Sequence, residues 1–270
     1  MTLPDRRDAG YEYRAAVGET KKFIAEFAPD AVVIFAPDHM NLLNQVRPPF
    51  TGIVSGSTLP EFGIPELRLN VHPVARRLFE DLVTMDVDLA VGEDVAVDHG
   101  LGLTLLQLFD EPALVPLVPI IVNAIGYPLF PVARARRVGE QIRKAMAPYD
   151  GRVLFIGTGG LSHNPPFPAP APGVHRFTAE ERAASLATAL AYLDPAWDQG
   201  LLARMAEGDA DCFSDLTQDE VDVRGGGANE VRTWAAAWAA AGSPPAGFTG
   251  YEAVEPWITG MGVAFGPASS

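Results

Sequence analysis

The run Ala31-Val32-Val33-Ile34-Phe35-Ala36 carries no polar residue on either alternating face, a pattern suited to a strand covered on both sides. The apolar positions Ala15, Ala16, Phe23, Ile24 and Phe27 before it fall near helical spacing, and Pro29 ends that pattern. The same order recurs. Residues 73–85 read as a helix before a strand at 87–91, 102–109 as a helix before 114–122, and 131–147 as a helix before 152–156. Such alternation predicts an α/β fold with a central mixed β-sheet flanked by helices. Helices at 178–193 and 230–241 follow; the first has Thr178 and Glu181 spaced as a capping box. The Pro-rich stretch 165–173 can sustain neither helix nor central strand and reads as an extended loop. The tail after Gly262 reads as frayed. With 270 residues, 48% of them hydrophobic, and neither repeat nor linker, one domain over 1–270 is expected.

Charge narrows the partners. The 34 acidic against 20 basic residues give a net charge of −14, which repels a phosphate backbone and an anionic membrane surface alike. Nucleic acid and membrane are therefore excluded as partners. The longest apolar stretch, 113–125, is interrupted by Pro116 and Pro119 and is too short to span a bilayer. The lone Cys212 cannot form an intrachain disulfide, and Asp5, Arg6, Arg7 and Asp8 stand where a signal peptide needs apolar residues. A soluble cytoplasmic protein is expected, assembled as a homo-oligomer.

Of the five histidines, three sit in polar loops at expected strand ends: His39 in APDHMN, His99 in VDHG and His163 in GTGGLSHNPP. In α/β proteins such loops gather ligand sites. A single loop histidine is more often a hydrogen-bonded or solvated residue than a catalytic one, but three at three strand ends point to chemistry. His72 and His175 read as structural or solvated. Asp38, Asp98 and Ser162, each next to one of the three, are candidates to hold them, and Gly100 and Gly160 allow close backbone approach. The glycines 157, 159 and 160 lack the Lys-Ser/Thr ending of a phosphate loop, and there is no Gly-x-Ser-x-Gly nucleophile elbow.

The stretches 32–41 (VVIFAPDHMN), 88–100, 118–123 (VPIIVN), 152–166 (RVLFIGTGGLSHNPP) and 229–234 (NEVRTW) together resemble the class III (LigB-type) extradiol ring-cleaving dioxygenases, in one order along nearly the whole chain. The resemblance implies an enzyme that opens a catechol-type aromatic ring, of the 2,3-dihydroxyphenylpropionate kind, with iron(II) and O2. It implies that His39 and Glu230 are metal ligands, and that His163 is the catalytic base and His99 the catalytic acid. Two imidazoles suit that chemistry: one takes a proton as the catechol binds, the other assists O–O cleavage.

The family's first metal ligand is a histidine after an initial strand, and no histidine precedes His39 here. The expectation is a sheet lacking that strand, open beside residues 31–36 unless residues 2–10 cover it, and an iron site short of one ligand. Three readings stay open: an ordinary dioxygenase missing its start, a metal-free homologue using His99 and His163 in acid/base chemistry, and a non-catalytic partner of a metal-bearing subunit. The loop after His163 is short for the family, and Glu255-Pro256-Trp257 departs from its usual order.

Overall fold

All seven residues of the first strand are buried, so it must lie inside a sheet with both faces covered. The computed structural model describes residues 9–165 and 178–266 and places it there. The chain runs α1 (Tyr11–Phe27), β1 (Ala31–Pro37), β2 (Phe50–Ile53), β3 (Gly56–Thr58), α2 (Val74–Thr84), β4 (Ala90–Gly92), β5 (Val95–Val97), α3 (His99–Leu108), β6 (Leu117–Val122), α4 (Val132–Met146) and β7 (Val153–Gly157). It continues through α5 (Ala179–Ala189), α6 (Pro195–Glu207), α7 (Gln218–Asp222), α8 (Val231–Ala240), β8 (Phe248–Val254) and β9 (Thr259–Phe265). The main sheet has the order β4-β2-β6-β1-β7. It is mixed: β1 is parallel to both β6 and β7, whereas β2 is antiparallel to β6.

Alternation along β1 explains the two cores. Val33 and Phe35 join Val118, Ile120 and Val122 under α2, α4 and α8, with Leu78, Phe79, Ile142 and Trp238 among the covering side chains. Val32, Ile34 and Ala36 point the other way, to Leu101 and Leu105 of α3. The parallel strands β1, β6 and β7 therefore end together, and the loops leaving β1 and β7 carry His39 and His163.

Several expectations are corrected. Residues 31–36 do not border an open edge, because β6 and β7 pair with β1 on its two sides. The outer strands of the sheet are β4 and β7, and all five residues of β7 are partly exposed. The helix expected from residue 102 begins at His99, because the Asp98 side chain caps it by accepting from the Gly100 N–H. The strand expected at 87–91 is only Ala90–Gly92. Residues 263–265 are not frayed but belong to β9, paired antiparallel with β8. The capping box at Thr178 and Glu181 is present. The Pro-rich segment from residue 166 on, His175 and residues 2–8 lie outside the described residues. Among the described residues no helix is long and apolar enough to cross a membrane.

Helix α8 is buried along its entire length and meets α4 at Gly139, where an added Cβ would come within 2.1 Å of the Ala236 carbonyl oxygen. Neither backbone can yield without moving a helix. Gly139→Ala is therefore expected to destabilise the fold by about 1–3 kcal/mol, read as a lower denaturation midpoint with an unchanged slope. An unchanged midpoint would show that the two helices can part freely.

Candidate active site

Glu230 is the last residue of a short 3-10 turn, Gly226–Glu230, that runs into α8, and it is only 3% exposed. A carboxylate so placed needs partners. Its Oε2 accepts from the Gly160 N–H at 2.6 Å, its Oε1 lies 3.3 Å from His39 Nε2, and His163 Nε2 is 3.7 Å from Oε2. The loops leaving β1 and β7 thus meet at one side chain.

Each of the three histidines is oriented by an acceptor at Nδ1. His39 Nδ1 is 3.2 Å from Asp98 Oδ2, His99 Nδ1 is 3.0 Å from Glu61 Oε1, and His163 Nδ1 is 2.8 Å from the Leu161 carbonyl oxygen. A carbonyl or carboxylate can only accept, so Nδ1 carries a proton in each ring, and His39, whose Nε2 faces the Glu230 carboxylate, carries one there too when no metal is bound. The His39 and His99 rings stack with centroids 4.0 Å apart, and Phe62 stands edge-on to His99 at 4.8 Å.

The neighbours expected to hold these histidines do other work. Asp38 accepts from the backbone N–H groups of Asn41, Leu42 and Leu43, fixing the turn after β1. Asp98 holds His39 rather than His99: Oδ2 accepts from both the backbone N–H and Nδ1 of His39 and from Asn41 Nδ2, while Oδ1 caps α3. Ser162 donates to Asp198 and accepts from the Asp194 N–H, and Tyr251 donates to the same buried Asp198. That network ties the His163 loop to α6 and β8. Glu61 was not legible in advance. It lies 38 residues from His99 in an unremarkable loop, yet accepts from both its backbone N–H and Nδ1. His72 is structural as expected: its Nδ1 accepts from the Val74 N–H at the start of α2.

The stretch 229–234 acquires a physical explanation. Fully buried Arg232 donates to the Phe130 carbonyl, to Asn229 and to Gln218 Oε1, which locks the turn that presents Glu230. Thr233 Oγ1 donates to the Thr158 carbonyl, and Trp234 Nε1 to that of Gly159, clamping the loop after β7. Gly159 has φ +136°, and a Cβ there would sit 2.7 Å from Glu230 Oε2. The glycines of this loop thus admit a carboxylate, not a phosphate.

Burial alone would push the Glu230 carboxyl up, but facing His163 and His39, with the Gly160 N–H, holds it below the usual range. Asp98 is likewise held well below, against its burial, chiefly by His39. Burial would lower His39, yet Asp98 and Glu230 together raise it to about 10. Positive charge is demanded at His39.

A metal ion meets the same demand. Two donor atoms about 2.1 Å from one ion, at right angles, stand about 3 Å apart, close to the 3.3 Å between His39 Nε2 and Glu230 Oε1. A ligating histidine usually donates its other ring N–H to a carboxylate, the place Asp98 takes. His39, Asp98 and His99 also offer ligand atoms within 4.8 Å of one another. An ion between His39 Nε2 and Glu230 Oε1 would leave the Asp98–His39 Nδ1 contact intact, whereas one on Asp98 Oδ2 would compete with the three donors that oxygen already accepts from.

Residues 10–265 match the family described as the catalytic LigB subunit of aromatic ring-opening dioxygenase. The chain is 36% identical to the 2,3-dihydroxyphenylpropionate/2,3-dihydroxicinnamic acid 1,2-dioxygenase of a Rhodococcus sp, over 92% of this chain and 88% of that one. It is 36% identical to the enzyme of the same name from Rhodococcus jostii RHA1, over 98% and 91%. A solved structure of an uncharacterized Escherichia coli K12 protein superposes with a TM-score of 0.54 at 14% identity, covering 93% of this chain and 92% of that one, a likeness of fold.

The charge arrangement has a pH signature in chelator-treated protein. His39, raised when folded, stabilises the fold below its ordinary value of 6.5 and loses that contribution as pH rises toward about 10. Asp98 and Glu230, lowered when folded, stabilise it above their ordinary values of 3.8 and 4.5 and lose that as pH falls through their folded values. The thermal midpoint should therefore peak between about 4.5 and 6.5 and fall on both sides. Replacing His39 by Ala should flatten the alkaline limb; an alkaline limb that survives unchanged would contradict the assignment.

Proposed function

The chain belongs to the LigB family of aromatic ring-opening dioxygenases, and from that premise we propose that it cleaves a catechol-type ring, of the 2,3-dihydroxyphenylpropionate kind, beside its hydroxyl pair with iron(II) and O2. The observation that carries this reading is the convergence of His39, His99 and His163 around Glu230 and Asp98, with Nε2 presented from each ring.

His39 Nε2 and Glu230 Oε1 would hold the iron. When bound, it brings catecholate and O2 together and lets electron density pass between them. His163, its Nδ1–H committed to the Leu161 carbonyl, presents Nε2 as the position that would take a proton from a catechol hydroxyl. His99 has its Nδ1–H committed to Glu61, so any proton it passes to a departing oxygen leaves from Nε2. Asp98 keeps His39 from rotating, and the stacked His39 and His99 rings fix the distance between the ligand and the acid. Both oxygen atoms of O2 end in the ring-opened product, so no external reductant is required. A cytoplasmic location fits this chemistry, and the one cysteine, Cys212, is buried, its thiol pushed up to about 12.

Oxygen uptake with 2,3-dihydroxyphenylpropionate and added iron(II) is the expected activity. His99→Ala and His163→Ala should each lower turnover on the order of 10²-fold with the fold intact, and His39→Ala or Glu230→Ala should abolish retention of iron. Turnover undiminished in both histidine variants, or uptake indifferent to iron, would refute the proposal.

A further inference from the structure

A substrate of that kind ends in a carboxylate, and the cluster that would receive it already holds Glu61, Asp98 and Glu230 in a chain of net charge −14. An anion entering here is repelled unless a cation with unspent charge faces it. We infer that Arg47 reads the carboxylate of the substrate side chain, an inference that rests on the catechol reading above.

Arg47 lies in the loop that carries His39 from the end of β1 to β2. Its Nη1 donates to the Tyr127 carbonyl at 3.2 Å and its Nη2 to that of Asn44 at 3.1 Å. Tyr127 belongs to the loop leaving β6, which runs parallel to β1 and ends beside it, so Arg47 bridges the two strand-end loops on the side of the sheet where His39 sits. The guanidinium has five N–H donors. Its two acceptors are neutral carbonyls, Nε is buried with no acceptor, and among the described residues no carboxylate forms an ion pair with it. Other arginines near the site are spent. Arg224 pairs with Asp194, and Arg232 is sealed beneath Phe130 and bonded to Asn229 and Gln218.

The placement of Arg47 is fixed by Gly126. A Cβ there would meet Arg47 Cδ at 2.6 Å and Met40 Sδ at 3.2 Å, so the arginine stem lies flat on the β6 loop beside Met40, the residue after His39. The arginine stem is thus packed beside the side chain of the residue that follows the proposed iron ligand in the same loop. One hydrogen remains on each Nη, and a planar guanidinium can offer such donors to a carboxylate.

Anaerobic titration calorimetry of the iron(II)-supplied protein tests this with two ligands: 3-(2,3-dihydroxyphenyl)propionate and the uncharged 3-propylcatechol. The wild type should bind the acid at least about 10-fold more tightly, and Arg47→Met should weaken the acid by roughly 10- to 100-fold while changing 3-propylcatechol by less than about 3-fold. Arg47→Lys should restore part of the preference. Gly126→Ala, which displaces the guanidinium without removing its charge, should weaken the acid selectively too. Equal weakening of both ligands in Arg47→Met would mean that the arginine only braces the loops, and equal binding of both by the wild type would mean that no carboxylate is read; either overturns the inference and leaves ring cleavage standing. Binding of neither ligand overturns it together with the catechol reading.

Discussion

The burial of the Glu230 carboxylate is the constraint on which the site depends. Removing an ionised carboxylate from water is costly unless hydrogen bonds and opposite charge surround it. The chain meets that demand from three separate places: the Gly160 N–H of the β7 loop, the His39 ring of the β1 loop and the His163 ring that follows the glycines. A glycine at 159 is required because a side chain would strike the carboxylate, and Arg232, Thr233 and Trp234 hold the backbone on both sides of the approach. One buried charge thereby sets the positions of two loops and the start of a helix.

The same arrangement gives three similar imidazoles three different surroundings. Each has a proton fixed on Nδ1, but the acceptor differs: a buried aspartate for His39, a half-buried glutamate for His99 and a neutral carbonyl for His163. The ring held between two buried carboxylates suits a cation, while the ring with a neutral carbonyl behind it presents Nε2 beside Glu230. The proposed division of labour rests on the partner at the far nitrogen, not on the histidine itself.

Much of the fold was legible because its main signals are local. The uninterrupted apolar run at 31–36 could only be a covered strand, and α1, α2 and α4 follow from helical spacing between prolines and polar turns. The short strands β2, β3 and β5 and the β8–β9 hairpin were missed, since three or four residues carry no readable period and a hairpin rich in glycine resembles a loose tail. His39, His99, His163 and Glu230 could be singled out from strand ends and from the NEVRTW stretch. Their holders could not. Adjacency suggested Asp38, Asp98 and Ser162, whereas the folded chain gives Asp98 to His39, distant Glu61 to His99 and a backbone carbonyl to His163, because neighbours in sequence seldom face one another.

The central claim is that His39 and Glu230 share one metal ion with His99 and His163 standing beside it. Anomalous X-ray diffraction at the iron edge, from crystals grown and soaked anaerobically in iron(II), tests it most directly. The account predicts a single strong peak about 2 Å from both His39 Nε2 and a Glu230 oxygen, with no bond to His163. A peak bound instead by Asp98 and His99, or iron found only away from Glu230, would contradict it.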